Sequence, residues 1–166
     1  LGATRNVDYF NVGTLASLNI STNSFTLAYW VRHVAFTNAN GYVNTFESKG
    51  AGGLGMTSVL RASNISNPNR VYTTVEGYDG VDKLLNGGTV ADGEWHWIVI
   101  RYDGDADTAH YFEDGHLYDI ETGIFSLVDV ARNAYFGNGL DGQMGDIRIY
   151  NVANEIRWAI LSLRHF

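Results

Sequence analysis

Two short segments carry the mixture of side chains that carbohydrate sites use. Tyr78, Asp79 and Asp82 lie within the run GYDGVDK, and Tyr42 and Asn44 lie in the run GYVN. The apolar C–H face of a sugar packs on an aromatic ring, and its hydroxyls need fixed polar partners. A polar turn whose tyrosine packs against a neighbour is the alternative interpretation, because turns favour Gly and Asp without any ligand. We predict these five residues as ligand-binding candidates.

A third group of candidates is the tripeptide Trp95-His96-Trp97, which lies in a strongly strand-like run. Strand alternation points the two tryptophans to one side and His96 to the other. At least one of the tryptophans is expected to be buried for structural reasons. His96 joins the predicted ligand-binding residues as a polar side chain facing a groove, with a histidine satisfied inside the sheet as the alternative.

Three carboxylates alternate along Asp103, Asp105 and Asp107, as they would in a calcium loop. An EF-hand loop requires glycine at its sixth position, which is Thr108 here. The Asp103-Gly104 step is instead typical of a hairpin turn. We favour the turn and predict no metal at this position.

No catalytic constellation is recognisable in the sequence. Retaining glycosidases place two carboxyl groups about 5–5.5 Å apart, and the glutamates of this chain are isolated from one another. There is no Gly-x-Ser-x-Gly elbow and no cysteine, and the five histidines lack zinc-ligand spacing. We predict no catalytic residues and no enzyme activity.

Composition limits the class of protein. The 166 residues, 45% of them hydrophobic, are enough for one domain spanning 1–166. The net charge of −7 and the scattered 11 Lys and Arg argue against nucleic-acid binding, which needs a clustered basic face. No apolar run reaches the roughly 18 residues of a membrane span, so no membrane insertion is predicted. Because the chain opens at Leu1, we expect it to be part of a longer protein.

Period-2 alternation and glycine-rich turns predict an all-β antiparallel sandwich. Hairpins are predicted at Asp103-Gly104 and Asp114-Gly115, a loop at Asn86-Gly87-Gly88, and a short helix within Asn151–Leu163. The predicted strands are Ser24–Arg32, Tyr42–Glu47, Gly55–Ala62, Arg70–Glu76, Glu94–Tyr102, Thr108–Glu113, His116–Ile120, Phe125–Asp129, Asn133–Phe136 and Gln143–Tyr150.

The order of these motifs resembles the laminin-G-like branch of the concanavalin A-like lectin/glucanase superfamily. The matching segments are Ser24-Phe25-Thr26 to Trp30-Val31, Gly93 to Trp97, Tyr102-Asp103-Gly104, Phe112 to Gly115, Phe136-Gly137-Asn138 and Leu140 to Asn151. The resemblance implies a jelly-roll sandwich with a binding role. It also implies an extracellular, cell-surface or virion location.

The resemblance raises the question of calcium. Many relatives hold a structural calcium ion with an Asp that, aligned on Arg148-Ile149-Tyr150, corresponds to Gly145 here. The next acidic position is Asp146, and a shift of one residue in a strand moves a side chain to the other face. The resemblance leaves calcium open as a cofactor, with Asp146 as its predicted ligand.

Three functions are consistent with these observations. The leading hypothesis is a non-catalytic recognition module that binds a glycan or a glycosylated surface through loops at one edge of the sandwich. The second is a structural or assembly domain of a virion, tail fibre or cell-surface protein, with a protein partner or a homo-oligomer. The third is a glycoside hydrolase or polysaccharide lyase whose site is unrecognised.

Overall fold

The computed structural model describes residues 9–18, 24–33, 42–48, 55–61, 70–76, 82–90, 92–123, 133–138, 140 and 142–153. Within these ranges the chain forms eleven β-strands and no helix. In chain order, β1 to β11 are Phe10–Thr14, Phe25–His33, Tyr42–Glu47, Gly55–Arg61, Arg70–Glu76, Asp82–Thr89, Trp95–Asp103, Thr108–Glu113, His116–Thr122, Asn133–Asn138 and Gly142–Tyr150.

The strands form two antiparallel sheets, which confirms the predicted sandwich. The six-stranded sheet has the order β1-β10-β3-β4-β5-β6, and the five-stranded sheet has the order β11-β2-β7-β8-β9. The predicted helix at the end of the chain and the predicted strand Phe125–Asp129 lie outside the described residues, apart from 151–153. No helix in the described part of the chain is long and apolar enough to cross a membrane.

The main core lies between the two sheets and follows from strand alternation. Phe25, Leu27, Tyr29 and Val31 of β2 point into it and are at most 2% exposed. From the six-stranded sheet, Phe136 meets Tyr29 edge to face, with ring centroids 5.9 Å apart. The Tyr29 hydroxyl also shares a hydrogen bond of 2.9 Å with Thr45, so the one polar group of this ring is satisfied inside the core.

A second apolar cluster occupies the opposite face of the five-stranded sheet. Ala28, Trp97, Val99 and Phe112 are buried there, and Trp30 packs against them. The sheet therefore carries apolar side chains on both faces, as the bulky residues on both sides of β2 predict. This outer cluster positions the candidate site described below.

Strand β6 corrects the predicted loop at Asn86-Gly87-Gly88. The strand runs through both glycines, which are buried. A Cβ atom on Gly87 would lie 2.6 Å from the ring of Tyr111, and one on Gly88 would lie 2.5 Å from Oε1 of Glu113. The glycines are therefore required for the close approach of β6 to β8 in the other sheet, and not for a turn.

Replacing Gly87 with alanine should reduce the free energy of unfolding by about 1–3 kcal/mol, because the added methyl group overlaps a fully buried tyrosine ring. Gly145→Ala is the matched control, since nothing lies within 4 Å of a Cβ at that position. Urea denaturation followed by tryptophan fluorescence compares the two. Equal stability of the two variants would contradict this account of β6.

Candidate functional site

Three tryptophans lie on the outer face of the five-stranded sheet. The antiparallel register of β2 and β7 places Trp30 opposite Trp97 and Arg32 opposite Trp95. Residues that face each other across two strands share a face, and so do residues two apart on one strand. Trp97 is only 1% exposed, whereas Trp95 is 42% exposed. The two tryptophans of the tripeptide thus have different surroundings: one is packed in the cluster and the other meets solvent.

Trp30 and Trp95 line a cleft of about 350 Å³ together with Gly145 and Asp146 of β11. Gly145 lies opposite Trp30 in the register of β2 and β11. A Cβ atom at position 145 would have no neighbour within 4 Å. The cleft is open because β11 carries no side chain beside the Trp30 ring.

A break in the register of β11 fixes Asp146 at the wall of this cleft. The pairing with β2 shifts between Gly145 and Arg148, and Asp146 has a φ of +45°. Its carboxylate accepts hydrogen bonds from Nε of Arg148 at 2.8 Å and from Nη2. The hydrogen bonds to Asp146 are the main reason why the pKa of Arg148 is raised. The guanidinium also lies 5.6 Å from the centroid of Trp97, at cation–π distance.

These contacts do not favour the predicted calcium role of Asp146. Calcium takes six to eight oxygen ligands. Within the described ranges, Asp146 belongs to no cluster of three or more His, Asp and Glu ligand atoms, and both of its oxygens bind Arg148. The residues therefore do not fit a calcium cage, and the metal role of Asp146 stays a prediction.

His96 lies at the same end of β7 as Trp95, in a cluster of acidic side chains. Its Nδ1 is 2.8 Å from Oδ2 of Asp114 and its Nε2 is 3.1 Å from Oδ1 of Asp92. The hydrogen bond to Asp114, and then that to Asp92, raise the pKa of His96 to about 9 against the opposing effect of burial. The side chain is 12% exposed. His96 is therefore an imidazolium at neutral pH, with both ring N–H groups donated to carboxylates.

The carboxylates of this cluster are themselves fixed by backbone groups. Asp114 accepts the N–H of Trp97 at 2.8 Å, and Glu113, which is 3% exposed, accepts the N–H of Gly88 at 2.8 Å. Burial is the largest influence on both groups and disfavours their ionisation. It raises the pKa of Glu113, whereas the bonds from His96 and Trp97 keep the pKa of Asp114 below its usual range.

His96, Glu113 and Asp114 present ligand atoms within 4.8 Å of one another, which is a spacing a metal ion could use. The hydrogen bonds favour a cluster without a metal ion. Each nitrogen of His96 lies at hydrogen-bond distance from a carboxylate, so the protonated imidazole supplies the positive charge that a metal ion would otherwise supply. The arrangement is a partly buried ionic bridge, in which His96 joins Asp92 to Asp114.

A family model described as the concanavalin A-like lectin/glucanases superfamily, of the laminin-G type, matches residues 5–155. The chain belongs to this superfamily. This confirms the resemblance found in the sequence motifs. No curated protein matches this laminin-G-like chain.

Solved structures similar to this laminin-G-like domain include toxin binding domains. The binding domain of Paraclostridial Mosquitocidal Protein 1 is 12% identical, with a TM-score of 0.75 over 96% of this chain and 41% of that one. The botulinum neurotoxin DC binding domain, solved with SialylT, is 13% identical over 87% and 36% of the two chains, with a TM-score of 0.66. At these identities the likeness shows the fold alone.

A third similar structure is of botulinum neurotoxin type C, whose cell entry depends on interaction with two ganglioside molecules. It is 12% identical, with a TM-score of 0.66 over 89% of this chain and 37% of that one. The laminin-G-like domain thus spans about two fifths of the length of these solved chains. Their ligands belong to proteins more than twice as long.

Two of the predicted ligand-binding residues, Tyr42 and Asp82, lie far apart in the laminin-G-like fold. Tyr42 begins β3 and is paired with Arg61, whereas Asp82 begins β6 and is paired with Glu76, which is in turn paired with Gly55. Since Gly55 and Arg61 are the two ends of β4, Tyr42 and Asp82 lie at opposite ends of the six-stranded sheet.

The remaining predicted residues have separate surroundings. Asn44 donates its side-chain N–H to Oε2 of Glu47 at 2.7 Å, within β3. Tyr78 and Asp79 lie outside the described residues. Among the ligand-binding candidates that the structure describes, only His96 adjoins the cleft, because it follows Trp95. The binding roles of all six residues stay predictions.

The sequence patterns single out Trp95 and Trp97 on one strand but do not place Trp30 of another strand beside them. The signal that joins them is Gly145, the position where the resemblance implies an Asp in many relatives. From the sequence, the change to glycine indicates only a lost metal ligand. In the fold, the missing side chain leaves open space beside Trp30.

Proposed function

We propose that this domain is a non-catalytic recognition module that binds carbohydrate in the cleft between Trp30 and Trp95. The observation that carries the proposal is the open space beside these rings, where Gly145 of β11 contributes no side chain. The volume of about 350 Å³ falls within the range of about 300–1,000 Å³ of small-molecule sites. An exposed indole ring provides the flat apolar surface on which the C–H face of a sugar stacks.

Asp146 supplies the polar group that such a site requires. Arg148 donates one hydrogen bond to each oxygen of Asp146, and a carboxylate offers about four acceptor positions, so acceptor capacity remains for sugar hydroxyls. The proposal moves the binding surface from the predicted edge loops to the outer face of the five-stranded sheet. The toxin binding domains of the same fold support a recognition role. An extracellular, cell-surface or virion location accords with a glycan target.

A glycan array that includes lactose and 3′-sialyllactose, followed by calorimetric titration of the positive glycans, tests the proposal. We expect binding that weakens at least about tenfold in Trp95→Ala, which removes the stacking surface, and in Gly145→Leu, which fills the cleft. Phe10→Ala is the matched control, because Phe10 is an exposed aromatic residue on the other sheet.

Two outcomes would reject this function. One is an array on which no glycan binds with or without added calcium. The other is glycan binding that neither Trp95→Ala nor Gly145→Leu changes, which would place the site elsewhere on the domain.

Assembly with a protein partner or a second copy is the alternative function. Strand β9, the last strand of the five-stranded sheet, carries three large apolar residues that are about half exposed: Leu117, Tyr118 and Ile120. Exposed apolar groups on an end strand are typical of interaction surfaces. A stable oligomer in sedimentation experiments, together with an absence of glycan binding, would favour this function.

A further inference from the structure

The backbone that presents Trp95 to the cleft is a short segment, residues 92–95, that leads into β7. Asp92 accepts the N–H of Glu94 at 2.9 Å, and Gly93 has a φ of +89°, which favours glycine. These local features shape the segment. They do not attach it to the rest of the sandwich, so the position of the exposed indole depends on longer-range contacts.

His96 provides one of these contacts on the side of β7 that points away from the cleft. Its ring joins Asp92, at the start of the segment, to Asp114, in the turn between β8 and β9. Asp114 is fixed in turn by the N–H of Trp97, and Asp114 N donates to the carbonyl oxygen of Trp97 at 2.9 Å. The segment is thus tied to the hairpin of β8 and β9 by two charge-assisted hydrogen bonds through one imidazole.

Arg32 provides a second contact on the side of the cleft. It lies opposite Trp95 in the register of β2 and β7, and its Nε donates to the carbonyl oxygen of Gly93 at 2.6 Å. The segment that carries Trp95 is therefore held from both faces of the sheet, by His96 on one face and by Arg32 on the other.

We infer that His96 is a positioning residue for the binding site: by bridging Asp92 and Asp114, it fixes the Trp95 indole at the wall of the cleft. This inference rests on the proposed function, and it gives His96 a role that does not require contact with the ligand. Preorganised binding surfaces lose less conformational entropy when the ligand binds. Without the bridge, the Trp95 segment would keep the Arg32 contact and its pairing with β2, but more of its ordering would take place when the ligand binds.

A double-mutant cycle with Trp95 distinguishes positioning from a general loss of stability. We expect His96→Gln to weaken binding of the glycan identified on the array about three- to tenfold in the wild-type background. In the Trp95→Ala background the same change should alter the affinity less than about twofold, because the residue through which His96 acts is gone. Asp92→Asn is a milder second variant, since the Asp92 side chain is 44% exposed. His116→Gln, an exposed histidine on β9, is the control.

Iodide quenching of tryptophan fluorescence tests the same inference without a ligand. His96→Gln should increase the quenching constant in the wild-type background and leave it unchanged in Trp95→Phe, which removes the exposed indole. If no glycan binds but the quenching follows this pattern, the proposed function fails while the positioning of Trp95 by His96 stands. Equal effects of His96→Gln in the paired backgrounds, on affinity or on quenching, would overturn the inference.

Discussion

Replacing Trp97 with alanine should lower the free energy of unfolding by about 3–5 kcal/mol, whereas Trp95→Ala should lower it by less than about 1 kcal/mol. The two residues are the same amino acid on the same face of the same strand, so the comparison isolates the effect of burial. Trp97 is 1% exposed and its ring lies 5.4 Å from that of Trp30. Truncating it removes a large buried surface and leaves a cavity beneath Arg148.

Urea denaturation followed by circular dichroism measures both variants, because the substitutions change the fluorescence signal itself. Trp97→Phe should recover part of the lost stability, since it keeps an aromatic ring against Trp30 and Arg148. A similar loss in Trp95→Ala and Trp97→Ala would show that the outer cluster does not stabilise the sheet as described.

The free energy of unfolding should fall by about 1–2 kcal/mol as the pH rises from 6.5 to 9. The folded protein raises the pKa of His96 from 6.5 to about 9, chiefly through the hydrogen bond to Asp114 and then through that to Asp92. A raised histidine pKa adds stability that is complete below pH 6.5 and is lost as the pH passes through the folded value. The partial exposure of the two aspartates reduces the effect below that of a fully buried pair.

Chemical denaturation at intervals between pH 6 and 10 measures this loss, and His96→Gln should flatten the curve. Three acidic groups face His96: Asp92, Asp114 and Glu113. The backbone N–H of Glu94 is the main reason why the pKa of Asp92 is lowered. The pKa of Asp114 is also lowered, so both carboxylates stay ionised between pH 6.5 and 9. Burial raises the pKa of Glu113 from 4.5, so the profile of Glu113→Gln is measured beside that of His96→Gln.

His110→Gln is the matched control for the pH profile. Burial is the main reason why the pKa of His110 is lowered. Its titration therefore affects the free energy of unfolding below pH 6.5 and not above it. A loss of stability between pH 6.5 and 9 that persists in His96→Gln would contradict a stabilising ionic bridge from His96 to Asp92 and Asp114.

Much of the fold could be predicted from local patterns. Period-2 alternation gave β3 and β5 with their observed ends, and the Asp114-Gly115 step gave the hairpin between β8 and β9. Asp114 has a φ of +49° and Gly115 one of +80°, the left-handed conformations that an Asp-Gly turn provides at low cost. The Gly87-Gly88 pair predicted a loop where the chain forms a strand. These glycines are needed because the side chains of Tyr111 and Glu113, in the other sheet, pack against them.

The candidate site could be predicted only in part. The sequence predicted His96 as a ligand-binding residue but not its partners. Asp92 precedes β7 and Asp114 follows β8, so the two aspartates are far apart in the chain. The predicted residues Tyr42 and Asp82 have suitable side chains for sugar binding. The register of four strands separates them to opposite ends of a sheet.

The sequence by itself determined most of the strands, several of their turns, and which residues share a face of those strands, because these depend on neighbours a few positions apart. The tertiary structure alone decided that Trp30 lies beside Gly145, that Trp95 is exposed while Trp97 is buried, and that His96 bridges two aspartates. Pairing between strands far apart in the chain fixes these relations. Alternation within one strand says which way a side chain points, but not which strand lies next to it.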